Sequence, residues 1–155
     1  MDDFALTPAE RALLAALNAQ GVRYIVIGLG AAVLQGAPVS TQDVDLWFEH
    51  PGDDAVRRAL AESGGFWISG FGMQPPGLGG EGLERLDTVL TAHGLDGFAT
   101  EYARALDVEV DGVSVKVLPL DRVIVSKRST GRPKDLAALP ALEATLHARQ
   151  GGDSD

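Results

Sequence analysis

Hydrophobic positions change period along this chain, and each change marks an element. Leu13, Leu14 and Leu17 recur at helical spacing behind Thr7-Pro8-Ala9-Glu10. That lead-in predicts a helix start: Thr7 caps, Pro8 takes the first helical position, and Glu10 closes a capping box. Gly21 ends the helix. Val22 to Ile27 is an apolar, β-branched run broken by Arg23, which predicts a buried strand. Gly28-Leu29-Gly30 predicts a tight turn into a short helix, Ala31 to Gln35, with a further turn from Gly36 to Ser40. From Thr41 to Phe48 the pattern alternates. Val44, Leu46 and Phe48 share one face of a strand, and Asp43 and Asp45 share the other. Pro51-Gly52-Asp53-Asp54 opens a helix carrying Val56 and Leu60, and Gly64-Gly65 closes it. Phe66 to Ile68 predicts a short strand. Ser69 to Gly82, rich in Gly with Pro75-Pro76 inside, predicts a loop, either a surface connector or a flap over a ligand.

Glu84 to Thr91 predicts another strand, carrying Asp87. Phe98, Tyr102 and Leu106 form one helical stripe. In Val108 to Val117 alternating valines flank Asp111-Gly112, a strong hairpin signal. Leu120 to Ser129 predicts a helix that Gly131 breaks, and Pro133 starts the last one, with Leu136, Leu139, Leu142 and Leu146. Pro140 should kink or divide it. No internal repeat and no second domain stand out. The expectation is one domain over residues 1–150 with a tail at 151–155. Its class is α/β (α+β): a mixed sheet with helices packed on one side, an open face on the other and a helical C-terminal segment.

The 155 residues, 45 % of them hydrophobic, suffice for one domain with a real core. Cysteine is absent, which excludes disulfides, thiolate zinc sites and cysteine catalysis. The acidic start lacks a basic and apolar leader, and no apolar run is long enough for a bilayer, so a cytoplasmic protein without membrane contact is expected. A formal charge of −9 opposes extended nucleic acid. Even so, Arg122, Lys127, Arg128, Arg132 and Lys134 gather five of the 13 Lys and Arg residues near one end. His50, His93 and His147 have no ligand-like spacing and are expected at the surface.

Chemistry concentrates on Asp43 and Asp45. Their Cβ atoms should lie roughly 7 Å apart on rigid backbone, a spacing at which two carboxylates can share divalent cations. Without a cation such a pair would resist double ionisation. There is no P-loop. Gly28-Leu29-Gly30 with Glu49 downstream is a faint dinucleotide fingerprint, with Val33 where a small residue belongs.

The order of motifs carries more than any one of them. A strand ends at Gly28, a short helix follows, Thr41-x-Asp43-x-Asp45 begins the next strand, and a third strand brings Asp87. Lys127-x4-Arg132-x-Lys134-Asp135-Leu136 comes near the end. From Gly21 to Glu143 this resembles the nucleotidyltransferase superfamily with the DNA polymerase β-like fold, and most of all its small bacterial members, including those of toxin–antitoxin systems. The resemblance implies that Asp43, Asp45 and Asp87 hold two Mg²⁺ ions, with Asp87 helping to deprotonate the acceptor. It implies that Gly28, Leu29, Gly30 and Thr41 shape the nucleotide site, and that Lys127, Arg132 and Lys134 meet phosphate or acceptor. The implied substrate is an NTP, and the implied acceptor a hydroxyl on RNA, protein or a small molecule. Arg132, Lys134 and Asp135 read equally as a structural salt-bridge cluster. Leu29 stands where the family has a small residue, which leaves a second reading open: a catalytically impaired binding module, antitoxin-like or regulatory, working with a partner protein or as a homo-oligomer.

Overall fold

Thr7 begins the first helix as the sequence requires. Its hydroxyl accepts from the Glu10 backbone N–H, and the Glu10 carboxylate accepts from the Thr7 N–H, so two orphan donors are satisfied. A computed structural model describes residues 5–68 and 77–153 of the chain. After this helix, α1 (Pro8–Ala19), come β1 (Tyr24–Ile27), α2 (Gly28–Leu34), β2 (Val44–Phe48) and α3 (Asp54–Glu62). Then follow β3 (Phe66–Ile68), β4 (Gly77–Gly79), β5 (Leu86–Val89), α4 (Phe98–Arg104), β6 (Leu106–Val110), β7 (Val113–Val117), α5 (Leu120–Thr130) and α6 (Pro133–Asp153).

The main sheet has the order β5-β2-β1-β7-β6, and β3 pairs with β4 in a separate ribbon. It is mixed: β1 runs antiparallel to β2 but parallel to β7, while β2 runs parallel to β5. An antiparallel β1–β2 pair rules out the dinucleotide reading, which needs a parallel βαβ crossover at that place. Asp111 and Gly112 both have positive φ (50° and 81°), the turn that matches strand twist and closes the β6–β7 hairpin.

Register assigns the faces. Val44, Leu46 and Phe48 stand beside Tyr24, Val26, Leu86 and Thr88, and Leu14 of α1 closes on Val26, Val44, Leu46 and Leu86. Leu13, Leu17 and Leu46 are fully buried there, each such side chain contributing about 1.5–3 kcal/mol. The opposite face carries Asp45 and Trp47 beside Ile25, Ile27, Asp87 and Val89. It is covered at the Trp47 end, where the indole meets Phe98 of α4 edge-on at 5.3 Å between ring centroids. The Asp45 end is left more open, since Asp87 is exposed and Asp45 only partly covered.

Several elements depart from the sequence reading. Leu106 does not extend the Phe98–Tyr102 stripe: α4 ends at Arg104, and Leu106 opens β6, 39 % exposed. Gly77–Gly79 is not loop but β4, paired with β3. A Cβ on Gly79 would sit 2.5 Å from the Phe66 ring, so glycine makes room for the aromatic across the pair, a reason pattern rules do not see. The rest of the expected loop falls on residues 80–82, which are bend and turn as expected, and on 69–76, outside the described ones. The strand around Asp87 is shorter than expected, and β2 starts at Val44, one residue past Asp43. Helix α6 runs unbroken through Pro140 and on to Asp153, three residues into the expected tail. Pro140 and Leu136 are both exposed, so water can reach the carbonyl that proline leaves without an intrahelical donor. His50, His93 and His147 are exposed. Among the described residues no helix is long and apolar enough to cross a membrane.

Candidate active site

Strand pairing brings together two acids that lie 42 positions apart in the sequence (87 − 45). Asp45 and Asp87 are direct neighbours in the parallel β2–β5 register. Directly opposed like charges destabilise a sheet. Asp43 stands two residues before Asp45, exposed, with Thr41 turned in on its backbone: the Thr41 hydroxyl donates to the Asp43 carbonyl (2.8 Å) and accepts from its N–H (3.3 Å). Thr41 therefore shapes the entry to β2 rather than pointing a free hydroxyl outward.

The electrostatics follow from this crowding. Burial first, and then Asp87, push the Asp45 carboxyl above its ordinary range; Asp43 adds to the rise, while Lys127 and Lys134 oppose it. Asp87 is likewise raised, by burial and then by Asp43. Among the described residues no hydrogen bond or ion pair reaches the carboxylates of Asp43, Asp45 or Asp87. Carboxylate oxygens are hard donors of the kind that Mg²⁺ takes. No three acidic or imidazole side chains among the described residues close around one point. Mg²⁺ does not require that, since it commonly takes one or two carboxylates and fills its shell with water and phosphate oxygens.

Gly28 is part of the same place. Its φ is +68°, and a Cβ there would sit 3.0 Å from Asp45 Oδ2. Glycine thus supplies both the backbone turn and the space the carboxylate occupies. Gly30 plays a different part. It lies inside α2, where an added Cβ would make ordinary contacts of 3.6–3.8 Å with Val44 and Val26. Leu29 is half-buried and packs on the core.

The cations divide into two kinds. Lys134 is exposed, and its charge is felt at Asp45. Lys127 and Arg132 are bonded to Asp135: Lys127 Nζ lies 3.2 Å from Oδ1, and Arg132 Nε 2.7 Å from Oδ2. Both charges also reach Asp45. The structural cluster and the phosphate-facing cations proposed from sequence are therefore the same group, with Lys134 outside the bonded part.

Two further acids are fully buried, and their burial was not legible. Glu10 receives Arg85 through Nε (2.6 Å) and Nη2 (2.7 Å), and Thr7 Oγ1 donates to the Gly82 carbonyl, so α1 is tied to the segment that enters β5. Glu101 takes Arg122 through Nε and Nη2, Arg104 and the Asp96 N–H. The capping box flagged Glu10, but its long-range partner left no local signal.

No family model matches the sequence, and no curated protein matches it. Solved structures do resemble the fold. ANT(2″)-Ia in complex with adenylyl-2″-tobramycin is 13 % identical with a TM-score of 0.61, over 90 % of this chain and 88 % of that one. The lincosamide antibiotic adenylyltransferase LnuA, lincomycin-bound, is 16 % identical with a TM-score of 0.59, over 92 % and 99 %. An antigenic nucleotidyltransferase-like protein from Paracoccidioides brasiliensis is 16 % identical with a TM-score of 0.52, over 90 % and 78 %. The mixed sheet, the order of its elements and these likenesses together give the chain the nucleotidyltransferase fold.

Proposed function

We propose that the chain is a metal-dependent nucleotidyltransferase that moves a nucleotidyl group from an NTP to a hydroxyl acceptor. The observation that carries this is the cross-strand pairing of Asp45 with Asp87, beside Asp43, with no bonded counter-ion among the described residues. Asp43, Asp45 and Asp87 would hold divalent cations, which when bound supply Lewis-acid stabilisation of the attacking and leaving oxygens. Lys127, Arg132 and Lys134 border Asp45 and neutralise the triphosphate. Exposed Asp87 accepts the proton of the acceptor hydroxyl. The acceptor oxygen then bonds to the α-phosphorus, and the bond from that phosphorus to the bridging oxygen breaks to release pyrophosphate. Gly28 keeps space beside Asp45, where any side chain would intrude.

The acceptor is a small hydroxylated molecule in this reading. The charge of −9 opposes a polyanion such as RNA, and the neighbouring folds include an enzyme bound to adenylyl-2″-tobramycin and one bound to lincomycin. Leu29, where a small residue is expected beside the Gly28 turn, favours the second reading: a binding module that kept the fold and lost turnover.

Calorimetry with Mg²⁺ and each NTP separates the two. Metal-dependent NTP binding that disappears in Asp43→Ala/Asp45→Ala supports the enzyme. Absence of nucleotide binding by the intact chain overturns it, and a partner protein co-purifying with that chain supports the binding module.

A further inference from the structure

We infer that Asp135 is a positioning residue that aims Lys127 at the phosphate side of the candidate site, an inference that rests on the nucleotidyltransferase reading. Asp135 is the third residue of α6, and only 2 % of its side chain is exposed. Its two oxygens take four donor contacts. Oδ1 accepts from Lys127 Nζ (3.2 Å) and Arg132 Nη2 (3.3 Å). Oδ2 accepts from Arg132 Nε (2.7 Å) and the Thr130 hydroxyl (2.8 Å). A carboxylate has about four lone-pair sites, so this one is full. It has nothing left with which to meet a ligand itself, which separates it from Asp45.

Lys127 is in the opposite condition. An ammonium has three donors, and the only bonded partner it shows among the described residues is Asp135, so two N–H groups stay unspent. Its side chain is only 15 % exposed, held between the last turn of α5 and the start of α6. Of the cations acting on Asp45, Lys127 acts most strongly. One negative and two positive charges also leave the group net positive. The freedom that a lysine stem ordinarily gives up on meeting phosphate has therefore been lost in advance.

A helix clasp alone would use the same hydrogen bonds, so the test separates location from stability. Asp135→Glu keeps the charge and displaces the carboxyl by one methylene. Tripolyphosphate affinity in Mg²⁺, measured by calorimetry beside a thermal melt, is expected to fall about tenfold in this variant and by at least as much in Lys127→Met. In the double variant the Glu substitution should add nothing to the loss in Lys127→Met, because it acts through the amine that is gone. If Asp135→Glu does not fold, Thr130→Val removes one of the four donors and carries the same comparison with a smaller loss. A lowered melting temperature with unchanged tripolyphosphate affinity overturns the inference, as does an equal loss in both backgrounds. Failure of the intact chain to bind tripolyphosphate overturns the nucleotidyltransferase reading along with it, whereas binding that Asp135→Glu leaves intact overturns this inference alone.

Discussion

Two sets of three acids lie in this molecule and behave oppositely. Glu10, Glu101 and Asp135 are almost wholly buried, and each is gripped by a guanidinium: Arg85, Arg122 and Arg132. Asp43, Asp45 and Asp87 are more accessible, and no cation bonds them among the described residues. Burial alone would push the Asp135 carboxyl up, but hydrogen bonds from Arg132, Thr130 and Lys127, with the Lys127 charge, hold it well below the usual carboxylate range. Glu101 is lowered in the same way, with Arg122 its strongest opponent of burial. Asp45 and Asp87 go the other way. Burial alone does not separate the two sets; a bonded cation that offsets it does, and on the proposed function the uncompensated set is the working one. A matched acid holds elements together, whereas an unmatched one is open to a cation from outside the chain.

The comparison breaks most sharply at the unmatched set. Asp45→Asn or Asp87→Asn should lower nucleotidyl transfer by at least about a hundredfold in a single-turnover assay with Mg²⁺ and NTP, since each removes charge from the proposed metal clamp. A variant within a few fold of the intact chain would remove that acid from the chemistry.

At the matched set the effect should fall on stability. Asp135→Ala or Glu101→Ala removes the charged partner of half-buried Lys127 or Arg122 and is expected to cost about 2 kcal/mol, or roughly 4–8 °C in melting temperature. The pH dependence has a definite sign. Both groups are lowered in the folded chain, so their contribution is present above the unfolded carboxylate range and is lost as pH falls through it towards their folded values. Denaturant titrations down the acid limb should therefore flatten in either variant.

Asp45→Asn should do the reverse, raising stability near neutral pH by about 1 kcal/mol while ending activity. Asp45 and Asp87 are raised in the folded chain. Their stabilisation exists below the unfolded carboxylate range and is lost as pH rises through their folded values, so a neutral amide gains most at higher pH. Mg²⁺ should lift the melting temperature of the intact chain and not that of the variant.

The smallest contrast sharpens the roles of two glycines that look alike in sequence. Gly28→Ala must place a Cβ in a left-handed conformation and against Asp45 Oδ2, and is expected to cost about 1–2 kcal/mol. Gly30→Ala meets only ordinary contacts inside a helix, and should be neutral or stabilising by up to about 1 kcal/mol in chemical denaturation. Equal effects would mean that Gly28 reserves no special space.

How much of this was legible depends on the range of the forces involved. Local chemistry was readable: the Thr7 box, the Asp111-Gly112 turn, Pro133 at a helix start and the alternation around Asp45 all depend on residues a few positions apart. The nearness of Asp87 to Asp45 was expected only from the order of motifs, since it is a register between strands that no short window contains. The strand β4 was missed because Gly77 and Gly79 carry no β pattern, and Gly79 is there for the Phe66 ring. Leu106 kept helical spacing by coincidence, while the hairpin claimed it for β6. Gly28 and Gly30 looked alike because composition cannot tell a glycine that leaves room for Asp45 from one inside a helix that alanine could replace.

The Thr7–Gly82 and Glu10–Arg85 bonds have a counterpart at the far end of the sheet, where the Leu6 N–H reaches Asp111 Oδ2 and Arg11 Nε reaches the Asp111 carbonyl. The first helix is thus a crossbeam fastened at the entry to β5 and at the tip of the β6–β7 hairpin. Pulling the polypeptide from its amino end would load Arg85 and the edge strand bearing Asp87 before it strained β1 or β2. Mechanical disturbance there would separate the two facing carboxylates while leaving most of the apolar interior in place.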